Sequence, residues 1–199
     1  MLKKITIITA SAVSAFALHT AELNINNKDL EAGLQLDVGQ YNDRVEPNTM
    51  FIGGKFLNAD DSHSSDSLTS LESYYELNFL IMREIGHYGV SFGMGMKLNY
   101  TQIGSKEFSS LPLGIEFAYQ FPTPKVIPIS LNASLYYAPE VLSFADSTDY
   151  LEYRVHFDIE LIKNAGITLG YRSINISSGT GIGSVNYNSS AYFGFQVGF

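Results

Sequence analysis

Three stretches of this chain alternate apolar and polar residues with a period of two, each for eleven residues. That period describes a β-strand with unlike faces; a 3.6-residue period would scatter both sets around a helix axis. Between positions 90 and 100, Val90, Phe92, Met94, Met96, Leu98 and Tyr100 point one way, and Ser91, Gly93, Gly95, Lys97 and Asn99 the other. Between 111 and 121 the apolar set is Leu111, Leu113, Ile115, Phe117, Tyr119 and Phe121. Between 151 and 161 it is Leu151, Tyr153, Val155, Phe157, Ile159 and Leu161, opposite Glu152, Arg154, His156, Asp158 and Glu160. Weaker alternation predicts strands over 33–41, 50–57, 74–82, 129–137, 166–174 and 190–199. A further short run, 21–26, would pair ahead of the first through a turn at 27–29.

Alternation alone suits a soluble sandwich as well as a membrane barrel. Four features select an all-β, antiparallel, up-and-down transmembrane β-barrel. The runs are about 9–12 residues long, enough to cross a bilayer at a steep tilt, whereas soluble strands average about 5–6. The less apolar face carries small residues, among them Gly93, Gly95, Gly114, Ala118, Ser130, Asn132, Ser134, Gly170 and Gly194, as a narrow lumen requires. Aromatics gather at strand ends. Tyr74, Tyr75, Tyr100, Tyr137, Tyr150 and Tyr153 are expected on one rim, and Tyr41, Tyr119, Phe121 and Phe199 on the other. The last run places Ala191, Phe193, Phe195, Val197 and Phe199 on one face. Phe193, Phe195, Val197 and Phe199 resemble the terminal signal that outer-membrane assembly machinery reads in bacterial barrels.

The connections are expected to alternate in length. Segments 84–89, 122–125 and 162–165 read as tight turns, and 58–73, 101–110, 138–149 and 175–189 as long loops. Such barrels carry an even number of strands, so 21–26 is counted to give ten; eight would result if two weak runs stayed unpaired. No repeat or linker divides the chain. Residues 18–199 are therefore expected to form one barrel.

Residues 1–17 read as a secretory signal peptide. Lys3 and Lys4 give the charged start, positions 5–16 the apolar stretch, and Ala15-Phe16-Ala17 the small-x-small cleavage site. The stretch is too short for a membrane-spanning helix. Cleavage would take the formal charge from −8 to −10 through loss of the two lysines. A chain this acidic is not expected to bind nucleic acid. With no cysteine among 199 residues it has no disulfide and no thiolate chemistry. Charged residues make up only 16%, below the roughly 25% of soluble domains.

Several segments resemble the YfaZ family of outer-membrane proteins. They are Leu135-Tyr136-Tyr137-Ala138-Pro139-Glu140-Val141-Leu142-Ser143, then Tyr150-Leu151-Glu152, then positions 166–176 with Gly170-Tyr171-Arg172. A fainter likeness covers 21–38. The resemblance implies a barrel in a Gram-negative outer membrane, of a kind sometimes described as porin-like. It brings no catalytic residues to transfer.

Chemistry must then reside on the polar face. By strand parity the lumen holds Asp37, Glu76, Glu116, Glu152, Asp158 and Glu160 with Lys55, Lys97, Arg154 and Arg172, and His156 beside them. Such a set is expected to be a paired network filling the barrel, since buried charges persist when paired. The alternative is a narrow, porin-like channel for small solutes or ions. His156 with Asp158 could orient a nucleophile, but no serine motif converges on them, so no enzymatic activity is expected. Asp60, Asp61, His63 and Asp66 read as a solvated acidic loop, because their spacing does not match a calcium-binding loop. Gly179-Thr180-Gly181-Ile182-Gly183 lacks the lysine and following helix of a phosphate-binding loop. No metal or other cofactor is expected. The expected partners are outer-membrane lipid and the assembly machinery, and the sequence names no extracellular partner.

Overall fold

A computed structural model of the chain describes residues 19–58, 71–86, 89–122, 127–179 and 183–199. The signal peptide expected at 1–17 and the acidic loop at 60–66 lie outside these residues. Twelve strands form a single antiparallel sheet. They are β1 (Thr20–Ile25), β2 (Leu30–Asp37), β3 (Met50–Asn58), β4 (Tyr74–Ile85), β5 (Val90–Ile103) and β6 (Lys106–Ser110). Then come β7 (Leu113–Gln120), β8 (Ile129–Ala138), β9 (Ser143–Ala145), β10 (Ser147–Ile162), β11 (Ala165–Ser178) and β12 (Gly183–Gly198).

Ten of these strands close on themselves. Neighbours in the chain pair from β1 to β5, then through β7, β8, β10, β11 and β12, and β12 returns to β1 with Thr20 opposite Gly198 and Ile25 opposite Phe193. The short β6 and β9 stand outside this ring. β6 folds back on the end of β5, and β9 pairs with β6. Closure gives each of the ten staves a neighbour on both sides, although β12 rises past its ladder with β1, which ends at Phe193.

The faces follow the pleat. Leu77, Met94, Ile115, Leu135, Phe157, Leu169 and Phe195 are among a continuous band of exposed apolar residues on the outside. Phe157 sits in register between Leu131 of β8 and Leu169 of β11. Phe195, Val197 and Phe199 share that outer face. Tyr75, Tyr100, Tyr137 and Tyr153 also face outward near the rim of long hairpins, and Tyr41 and Phe199 near the rim of short turns.

Three expectations need correction. Tyr74 and Tyr150 are not part of the outer aromatic collar: both are buried in the lumen, because they share parity with Glu76 and Glu152. The strand expected at 33–41 begins earlier, at Leu30, and stops at Asp37. There the Asp37 carboxylate accepts hydrogen bonds from the backbone N–H groups of Gly39 (3.0 Å) and Asn48 (2.9 Å), turning 38–40 into a 3-10 turn. Of the segments expected as long loops, 101–110, 138–149 and 175–189 are in large part strand, while most of 58–73 lies outside the described residues. β5 runs on to Ile103 and turns at Gly104 (φ 63°), while β11 and β12 extend as one tall hairpin to Ser178 and Gly183. The tall wall of β10, β11 and β12 therefore rises well past the short staves β1, β2 and β7. The start of β7 at Leu113 also has a local cause: Pro112 has no N–H to give the ladder, and its carbonyl accepts from Lys97 N instead (2.9 Å).

Candidate functional site in the barrel lumen

The lumen is organised in three tiers. At the long-hairpin rim an apolar cap is built by Leu57, Leu71, Tyr74, Ile103, Phe108 and Tyr187, with Ile174 and Ile176 of β11 beneath. Leu71 bridges to Ile103, and the carbonyl of Glu72 accepts hydrogen bonds from the Tyr187 hydroxyl (2.6 Å) and the Thr101 hydroxyl (3.1 Å). Those bonds draw the segment before β4 across the mouth. An apolar cap in the bore is the reverse of the polar lumen usual in membrane barrels.

Below the cap lies a fully buried ionic cluster. The Arg154 guanidinium grips Glu31 with two bonds, 2.6 and 2.8 Å, and lies 3.6 Å from Glu152. Lys97 Nζ stands 2.7 Å from Glu152 and 3.2 Å from Glu76. Arg172, 1% exposed, contacts Glu31 at 3.0 Å and Asp29 at 3.4 Å, and its Nε donates to Asn188 (2.8 Å). Tyr150 donates to Glu152 (2.9 Å), the Tyr74 and Tyr150 hydroxyls are 2.7 Å apart, and Asn24 donates to Glu31 (2.8 Å). Lys97 lies 4.1 Å from the centre of the Tyr136 ring, and Arg154 and Arg172 flank that of Tyr192 at 5.7 and 5.4 Å. This is a charge network in which every cation touches at least one carboxylate, the condition under which buried charge is tolerated.

Glycine makes room for it. Tyr136 lies across β7 and β5, where a Cβ on Gly95 would stand 2.5 Å from its hydroxyl and a Cβ on Gly114 would overlap its ring. Gly114→Val is expected to displace Tyr136, breaking its 2.6 Å bond to Glu116 and its contact with Lys97. The expected cost is about 1–3 kcal/mol, seen as a lower urea midpoint at unchanged slope. An unchanged midpoint would show that the ring has space to move.

The third tier is a cavity of about 180 Å³ toward the short-turn rim, with Lys55, Glu116, His156 and Asp158 among its walls. Lys55 pairs with Glu22 (2.7 Å). Asp158 accepts from Asn132 (2.7 Å) and Thr168 (2.6 Å) and lies 3.4 Å from His156 Nε2. His156 Nδ1 is buried without a hydrogen-bond partner. Glu116 has the Tyr136 hydroxyl and, among the described residues, no cation within ion-pair distance.

Of the candidates named from the sequence, Glu76, Lys97, Glu152, Arg154 and Arg172 thus meet in the middle tier, and Lys55, Glu116, His156 and Asp158 line the cavity. Asp37 is buried but caps the rim turn and joins neither group. Glu160 accepts from Asn164 N (3.1 Å) at the β10–β11 turn. Asp29, Glu31 and Glu22 were missed. Glu31 shares parity with Asp37, so reading the strand back three residues would have placed it in the lumen. Tyr136 and Tyr192 share parity with Ser134 and Gly194 and so point inward, but small residues were expected on that face and neither tyrosine was named.

The family model described as "YfaZ precursor" matches residues 2–199. No curated protein and no solved structure matches the chain.

Proposed function

Since the chain belongs to the YfaZ family, with nearly its whole length matched, we propose that it is a structural outer-membrane barrel whose lumen is closed to solute flow. A closed ten-strand ring with an apolar exterior fits an outer-membrane barrel protein, and the precursor description fits a chain exported with a cleaved leader. The barrel would stand in a Gram-negative outer membrane with its short turns in the periplasm and its tall hairpins outside the cell.

The observation that carries the closed reading is the Arg154–Glu31–Arg172 and Lys97–Glu152–Glu76 cluster spanning the lumen beneath an apolar cap. Opposite charges on facing staves neutralise one another across the bore, whereas a selective pore leaves them lining separate walls. A ten-strand barrel is also only modestly wider than the eight-strand size that side chains fill. No catalytic role is proposed, because Asp158, the partner of His156, is already engaged by Asn132 and Thr168.

The test is single-channel recording of the refolded chain in a planar bilayer, with Arg154→Ala alongside. Both are expected to be silent, since the apolar cap remains in the variant. Steady conductance steps in the wild type, altered in amplitude or ion preference by Arg154→Ala, would establish the porin-like reading instead.

A further inference from the structure

We propose that the cavity of the third tier is a binding site for a small aliphatic amine, of the short diamine class, entering from the short-turn rim. The inference goes beyond the closed-barrel reading and does not depend on whether the barrel conducts.

Four observations lead to it. The cavity has an entrance: a second hollow, walled by Pro128, Asn164 and Gly198, shares Thr20, Ser130, Asp158 and Gln196 with it. The cavity is acidic in excess of its cations. Lys55 is matched by Glu22, and Lys97 and Arg154 are held by the cluster above, which leaves the Glu116 carboxylate facing the space without a counter-ion among the described residues. Asp158 adds a second carboxylate, whose one basic neighbour among the described residues is the imidazole of His156. A charge in a poorly hydrated site is stabilised by an opposite charge brought to it.

The acids stand on separate staves, Glu22 on β1, Glu116 on β7 and Asp158 on β10, and among the described residues no three His, Asp or Glu side chains gather closely enough to hold a metal ion. A ligand that meets two of them carries a positive charge at each end of a chain. Finally, one wall is apolar. Phe51, Leu80 and Met82 belong to a buried apolar cluster separate from the cap and line the same cavity. An alkyl chain against that wall with ammonium groups toward Glu116 and Asp158 satisfies both surfaces, as small-molecule sites do by combining apolar walls with a few fixed polar groups.

The experiment is titration calorimetry on the full mature chain refolded in detergent micelles, with 1,4-diaminobutane as the probe. Two controls separate its features: 1,4-butanediol has the chain without charge, and Mg²⁺ has charge without the chain. Saturable one-site binding of the diamine is expected, with no heat from the diol and no displacement by Mg²⁺ at equal concentration. Glu116→Gln and Asp158→Asn, each isosteric, are expected to weaken binding at least tenfold. Glu107→Gln, an exposed acid on β6, is expected to leave it unchanged. Each variant's fold is checked by its heat-dependent gel mobility. Absence of diamine binding, equal displacement by Mg²⁺, or affinities within twofold of wild type in both cavity variants would overturn the assignment.

Discussion

Arg154→Met is expected to cost the barrel about 3–5 kcal/mol, the range measured when one partner of a buried ion pair is removed. The guanidinium makes two short bonds to Glu31 and approaches Glu152, and both carboxylates are essentially inaccessible to water. Methionine fills much of the same volume, so the loss arises from charge and not from a void. Four acids, Asp29, Glu31, Glu76 and Glu152, would then share Lys97 and Arg172 with no third cation between them. Adding Glu31→Gln to Arg154→Met is expected to restore part of the stability, because Asn24 and Arg172 can still bond a neutral amide. Urea unfolding in lipid vesicles, followed by far-ultraviolet circular dichroism because the chain has no tryptophan, reads both variants. A loss under 1 kcal/mol for the single variant would show that water reaches the cluster.

Phe157→Arg is expected to cost about 2–4 kcal/mol in the same assay, the range for a basic residue placed at mid-membrane on the lipid face of a barrel. Phe157 is 44% exposed, flanked on the outer face by Leu131 and Leu169. The same substitution at Val141, 80% exposed in the 3-10 turn after β8, is expected to be neutral within about 0.5 kcal/mol. Equal stability of Phe157→Arg and wild type would overturn the assignment of the outer face to lipid.

The faces of the staves were legible in the sequence because the pleat alternates with a period of two, and one unambiguous residue settles a strand as far as the next bulge, such as the one at Tyr187 where both Tyr187 and Asn188 turn inward. That is why Lys97, Glu116, Glu152 and Arg154 could be placed inward from local pattern alone. Strand ends were less legible. Asp37 terminates β2 through bonds to Gly39 and Asn48, a local cap that alternation does not register, and the hairpins of β5, β11 and β12 continue in Ser- and Asn-rich sequence that reads as loop.

The tiers of the lumen were not legible at all. Which acid meets which base depends on register across the bore: Arg154 finds Glu31 from 123 residues away. Tyr74 and Tyr150 carry the same side chain as Tyr75 and Tyr153 and sit at similar heights. Only parity separates an inward tyrosine that closes the mouth from an outward one on the barrel's exterior.

The seam between β1 and β12 sets the order of assembly. Every other ladder of the ring joins strands that are consecutive or nearly so, and each can form as soon as its second strand is present. The seam joins residues 20–25 to 193–198, so it has the longest loop to close and waits for the whole chain. Until then the sheet has two open edges, at which another strand could pair. His19 works at this point: its ring stacks on Tyr41 (4.8 Å) and meets Phe199 edge-on (5.6 Å), while its carbonyl accepts from Phe199 N (2.9 Å). The rate at which newly made barrels mature is therefore expected to depend on a few side chains at the short-turn rim. A chain stalled before β12 would be a curled sheet without an inside, and neither the ionic cluster nor the cavity would yet exist.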